Sequence, residues 1–215
     1  MTKSTNEKKV QLNKDQIVRS AINLLQKDGI HGLSMRKLAD ALGVKAASLY
    51  WHVKNKSDLL QLIAEKITSE VDLPSSGSWD EQLKQIAVQY RKVLHSIRDS
   101  AEIMEDTVPL TPQRIRLIEH VYQQLLAAGF PKQSVPYIAS LYNNFILSFV
   151  QDEIRVSNHL EEDENPFSSI DIERYSLFMD VNRSVGKENT EVQFQFGLDV
   201  FLEGLKAKRR EVSDT

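Results

Sequence analysis

The chain of 215 residues contains no cysteine. Disulfides, thiolate metal sites and cysteine nucleophiles are therefore excluded, and a reducing, cytoplasmic setting is expected. Long apolar runs are missing as well. None approaches the roughly 18 residues that a bilayer-spanning helix needs, so no membrane partner is expected. The opening MTKSTNEKK lacks the apolar stretch of a signal peptide, and residues 1–12 read as a disordered arm. With only 8 glycines and 6 prolines, punctuation is sparse, and no run of alternating β-branched residues suggests a sheet. The periodicity that remains is helical throughout, so the expected class is all-α.

The motifs of catalysis are also lacking. There is no glycine-rich phosphate loop, no HExxH run and no Ser/His/Asp spacing, and the histidines at 31, 52, 95, 120 and 159 are scattered. No catalytic residue, metal ligand or cofactor is assigned from the sequence. His159 beside Glu161, Glu162, Asp163 and Glu164 invites a metal reading, but consecutive loop carboxylates are not preorganised around an ion. Residues 157–170 read instead as a mobile acidic loop.

Charge is small in sum and uneven in place. The net value is −3, yet residues 1–60 hold 11 Lys and Arg against 5 Asp and Glu, while the rest is acidic. A basic head on an acidic body is expected when the head meets phosphates and the body does not.

The head carries the strongest pattern, LSMRKLADALGVKAASLYWHVKNK at residues 33–56. Ser34 suits the N-cap of a short helix whose Leu38, Ala39 and Leu42 form an apolar side. Gly43 suits the tight turn, Val44 plugs it, and a second short helix spans 45–52. Residues 14–28 form a preceding amphipathic helix closed by Gly29. Asn55, with Asp58 three residues on, opens a fourth helix reaching to about residue 71. The expected organisation is a helix-turn-helix DNA-binding domain at 13–54, a connecting helix at 55–72, a linker at 73–78 and a helical body at 79–210. Helices are expected in the body near 80–97, 99–106, 112–128, 133–156, 171–183 and 192–209.

Gly32-Leu33-Ser34-x-Arg36-Lys37-Leu38-Ala39-x-x-Leu42-Gly43-Val44, followed by Leu49-Tyr50-Trp51-His52-Val53-Lys54-Asn55-Lys56, resembles the TetR family of bacterial repressors, in its tetracycline repressor branch. The likeness continues at Trp79, Arg98-Asp99, Thr107, Pro109, Gly129-Phe130 and Phe196-Gly197-Leu198. It implies an all-helical homodimer that binds a palindromic operator in double-stranded DNA. The larger C-terminal domain would bind a small-molecule effector, pair with its copy through two long helices, and push the connecting helix so that DNA is released. A dimer with heads about 34–36 Å apart also answers the short reach of one head. The competing classes are an enzyme with an incidental helix-turn-helix and a DNA-bound regulator without ligand control.

The positions that touch DNA in the resembling repressors are here Arg36, Lys45, Ala46, Ser48, Tyr50, His52 and Lys56. Arg36 suits guanine O6 and N7, Ser48 and Tyr50 suit phosphates, and Lys56 suits a phosphate clamp. Leu49 and Trp51 are expected in the core of the head. Ala46 stands where the branch has a glutamine, so a different operator is expected. For the effector, the resemblance points to Ile86, Tyr90, Met104, Thr107, His120, Asn143, Asn144 and Asp152, with Val121 as the alternative to His120. Met104 replaces the branch's metal-ligating histidine. A thioether is too soft for Mg²⁺, so an effector other than a tetracycline–magnesium complex is expected.

Overall fold

The computed structural model describes residues 12–162, 171, 174–185 and 190–213. Ten helices and no strand occur among the described residues: α1 (Lys14–Gly32), α2 (Met35–Ala41), α3 (Ala46–Tyr50), α4 (Lys56–Ser69), α5 (Trp79–Ser96), α6 (Ser100–Asp106), α7 (Pro112–Ala127), α8 (Val135–Glu162), α9 (Ser176–Val185) and α10 (Thr190–Ser213). The chain forms two compact units. The first runs to Glu70 and takes in Ser96–Arg114; the second comprises Val71–His95 and the residues from Ile115 onward. The expected arm, apart from Leu12, lies outside the described residues.

In the first unit, local caps set the helix limits. The Asn13 side chain accepts the Gln16 N–H while the Gln16 side chain accepts the Asn13 N–H, a reciprocal pair that satisfies two orphan donors. Gly29 leaves helical geometry at φ 70° and ψ 176°, kinking α1 before its last residues rather than ending it. Ser34 caps α2 through the Lys37 N–H, and Asn55 caps α4 through the Asp58 N–H. Asp58 does not return the bond to Asn55; its carboxylate accepts the Lys54 N–H at 3.2 Å. The core of this unit gathers Ile17, Ala21 and Leu25 of α1, Leu38 of α2, Leu49 of α3, Leu59, Ile63 and Ile67 of α4, and Ile103 of α6.

Two expectations about the head need correction. The recognition helix is shorter than 45–52, because Lys45 is extended and no side chain caps α3. Trp51 is not in the core: it is 90% exposed, while Leu49 and Val53 are buried. At 100° per residue, a side chain two positions from Leu49 turns to the opposite side of the helix. The connecting helix also stops at Ser69, giving 14 residues and about 21 Å.

The second unit packs α5, α8 and α10 around aromatic rings. Phe145 stacks with Phe194 and Phe201, and Phe149 meets Phe194 edge-on. Gly197 makes this approach possible, since a Cβ there would lie 2.8 Å from the Phe145 ring. Helix α8 runs on through Glu162, so residues 157–162 are helical where a loop was expected; residues 163–170 lie outside the description. The side chains of His159, Glu161 and Glu162 lie outside it too. Helix α9 starts at Ser176 rather than near 171.

Ion pairs fasten α10 along α5: Lys84 to Asp199 at 2.6 Å, Asp80 to Lys206 at 2.7 Å, and Arg91 to Glu191 at 2.5 Å. The Lys206 ammonium, helped by Ser78, holds the Asp80 carboxyl at about 2, below its ordinary 3.8. A lowered folded-state value gives stability that is present above the ordinary value and lost as pH falls through the folded one. Thermal unfolding followed by circular dichroism should therefore show a melting temperature that drops between pH 4 and pH 2. In Lys206→Met that drop should be shallower. Identical pH profiles for the two proteins would remove the pair from the account.

Candidate nucleic-acid interface and ligand cavity

The turn between α2 and α3 is fixed by backbone geometry. Gly43 takes φ 65°, which a side chain disfavours, and the Val44 N–H returns to the Ala39 carbonyl at 3.0 Å. Leu38 and Leu49 are fully buried beneath the turn, so the opposite faces of both helices point outward. Arg36, Lys45, Ala46, Ser48 and His52 are exposed, and Tyr50 is about half exposed. The structure therefore leaves six of the seven expected DNA residues accessible around one helix-turn-helix.

Lys56 differs. It is half-buried, and its Nζ donates to the Ile30 carbonyl at 2.6 Å, next to the Gly29 kink. The ammonium keeps two further N–H donors, so the tie positions it without exhausting it. The same end of α1 is held by Asp99, whose carboxylate accepts the Ile30 N–H at 2.7 Å. Ala47, between Ala46 and Ser48, is exposed here although the sequence reading gave it no role, and so is Trp51, which that reading placed in the core. The position of Trp51 relative to buried Leu49 was the available signal.

The second unit contains a small cavity of about 40 Å³. Ile86 and Tyr90 of α5, Leu117, Ile118 and Val121 of α7, and Ala139, Tyr142, Asn143 and Ile146 of α8 line it. No charged side chain is among them. Three of the eight expected effector residues are thus brought together: Ile86, Tyr90 and Asn143. Val121, the alternative, faces the cavity, whereas His120 turns to Gln82 with Nε2 at 3.2 Å from Oε1. Burial, with the charge of Arg116 adding to it, pushes the imidazole of His120 below 6.5 and favours its neutral form.

The other four lie elsewhere. Asn144 is exposed, and Asp152 is exposed and paired with Arg155 at 3.0 Å. Met104 and Thr107 are buried in the first unit. There the Arg114 guanidinium donates to the Met104 carbonyl and to both oxygens of Thr107, capping the end of α6. Tyr142 was missed. Its hydroxyl donates to the Leu83 carbonyl at 2.5 Å, and burial raises its pKa well above 10. Its spacing from Ala139 and Ile146, at three and four residues, marks one face of α8.

The donors do not fit a magnesium-bound drug. A thioether stands at 104, and no carboxylate lines the cavity. Among the described residues no group of three or more His, Asp or Glu is placed to hold a metal. No helix of the described residues is long and apolar enough to cross a membrane.

A more polar cluster joins α5, α8 and α10. Arg91 makes a two-pronged contact with Glu153, at 2.9 and 2.6 Å, and reaches Glu191 with a third nitrogen. His95 Nε2 lies 2.8 Å from the same Glu153 carboxylate, and the Arg91 guanidinium stacks 4.7 Å from the Phe194 ring centre. Burial works to raise the Glu153 carboxyl, but the hydrogen bonds from Arg91 and His95 outweigh it and leave the group below its ordinary range.

Comparison with known proteins agrees with this arrangement. The model for bacterial regulatory proteins of the tetR family matches residues 17–63, and that for the tetracyclin repressor-like C-terminal domain matches residues 71–209. A helix-turn-helix transcriptional regulator of Saccharopolyspora erythraea is 38% identical over 154 residues, or 70% of this chain and 64% of its own length. The class E tetracycline repressor of Escherichia coli is 31% identical over 209 residues and 95% of either chain. Apo ActR of Streptomyces coelicolor superposes with a TM-score of 0.81 at 27% identity, over 94% of this chain and 98% of its own. With an accessible helix-turn-helix head and a helical body matched by these relatives, the chain belongs to the TetR family of transcriptional regulators.

Proposed function

We propose that the protein is a homodimeric, cytoplasmic repressor that binds a palindromic operator and leaves it when a small molecule other than tetracycline–Mg²⁺ occupies the second unit. The observation that carries the reading is the accessible face of α2 and α3, with Arg36, Lys45, Ser48 and Tyr50 outward and Leu38 and Leu49 buried beneath. Such a face places base-reading and phosphate-binding groups on one side of a rigid support. Dimerisation is supported by apolar side chains exposed at intervals of four: Tyr137 and Leu141 on α8, and Val192, Phe196 and Val200 on α10. A stripe of this kind on two long helices suits burial against a second copy.

Effector binding is supported by the uncharged cavity and by a relative, since ActR has been solved with actinorhodin. Its volume of about 40 Å³ is far below the roughly 300–1,000 Å³ of ordinary ligand sites, so an effector must part α7 from α8 to enter. The same small volume favours a second reading, a DNA-bound regulator without ligand control.

Selection of bound sites from random duplex DNA, at fixed salt, tests the first part. Enrichment of a short palindrome supports the dimeric reader, and its absence overturns it. Tetracycline with Mg²⁺ at micromolar concentration should leave the complex with that operator intact in a fluorescence anisotropy titration. Release would mean that the uncharged cavity is not the effector site.

A further inference from the structure

Between Lys45 and Ser48, both able to hydrogen-bond through their side chains, the recognition helix presents two alanines. Ala46 and Ala47 are both exposed, on the helix whose only buried residue is Leu49. In a helix-turn-helix the leading residues of the second helix meet base edges in the major groove. The methyl side chain of an alanine there can neither donate nor accept a hydrogen bond. The one apolar feature a base pair offers in that groove is the C5-methyl group of thymine. The alanines are also the shortest side chains that can make contact, so the backbone of α3 can sit close to the floor of the groove. Consecutive helical positions are turned by about 100° and displaced by 1.5 Å, so the two methyl groups address different bases.

We propose that Ala46 and Ala47 are specificity-determining residues that read two neighbouring thymine methyl groups in each half of the operator. The partner is double-stranded DNA whose recognition depends on an apolar methyl contact instead of hydrogen bonds at these two positions. This rests on the DNA-reading function proposed above. It predicts an operator whose affinity is sensitive to a chemical change that alters no base pairing, the removal of a single methyl group.

The experiment replaces each thymine of the selected operator, one at a time, by uracil, and measures affinity by fluorescence anisotropy at fixed salt. Loss of one buried methyl contact corresponds to about a fourfold weakening. The expected result is such a loss at two neighbouring thymine positions per half-site, on either strand, and nowhere else within the reach of α3. Replacing a sensitive T·A pair by C·G should weaken binding, and 5-methylcytosine in place of that cytosine should recover about fourfold. Ala46→Gly and Ala47→Gly should each abolish the sensitivity at one of the two positions.

Because the uracil and methylcytosine arms alter only the DNA, they stand even if a glycine variant fails to fold. Uracil tolerated within twofold at every thymine overturns the proposal, and so does methyl sensitivity that survives intact in both folded glycine variants. No enrichment of any sequence by the wild-type protein would overturn the DNA-reading function itself, and this inference with it.

Discussion

Arg91→Ala is expected to lower the unfolding free energy by about 3 kcal/mol, the largest loss from any single charged side chain in the second unit. Breaking a buried pair by removing one partner costs roughly 3–5 kcal/mol, because the other charge is left desolvated. Glu153 would be that charge, with a side chain only 8% exposed. The lower end of the range applies because Glu191 and His95, which complete the cluster, are open to solvent. The substitution also strips the guanidinium from the ring of Phe194. For a chain of this size the loss corresponds to a fall in melting temperature of about 10 °C. Adding Glu153→Gln should return part of it, since a buried amide costs less than a buried carboxylate. Urea titration followed by circular dichroism gives both numbers. A loss below about 1 kcal/mol would class the cluster with ordinary surface pairs.

Leu49→Ala should act on the head alone, and by a comparable amount. Leu49 is completely buried and is the one buried residue of a five-residue helix. A helix that short has no stability of its own in water and exists because it is docked. Truncating a core leucine costs roughly 2–5 kcal/mol, and nothing else in α3 can replace the anchor. The expected outcome is operator affinity lowered by well over tenfold, with the main melting transition of the second unit unchanged. Leu49→Met, which keeps most of the volume, should stay within about tenfold of wild type. Affinity within twofold for the alanine variant would show that α3 is held by something other than Leu49.

The legible parts of this molecule are those written within a few residues. Ser34 and Asn55 bond to backbone groups three positions away, so their caps can be read from the spacing alone. The Gly43 turn and the buried side of α2 are of the same kind. Trp51 was misplaced because a large aromatic invites a core assignment; its angular separation from Leu49 was the better guide. The cavity needed information that a sequence does not hold locally. One residue of register on α7 decides whether His120 or Val121 faces inward, a rotation of about 100°. Met104 and Thr107 were expected beside Ile86, yet they sit under Arg114 in the other unit. The Arg91 cluster draws on partners 62 and 100 positions away and leaves no local trace.

The first unit is not one stretch of chain. It needs Ser96–Arg114, with α6 packed against α4, as well as the residues up to Glu70. The Ser-rich stretch at 73–78 looks like a place to cut, yet a fragment ending there would carry α4 without its cover. Exchange of reading heads between relatives by a single recombination at that point would therefore join an α4 from one parent to an α6 from the other. Grafting a new DNA specificity onto this body calls for changing the exposed residues of α2 and α3 in place, or for moving two segments together.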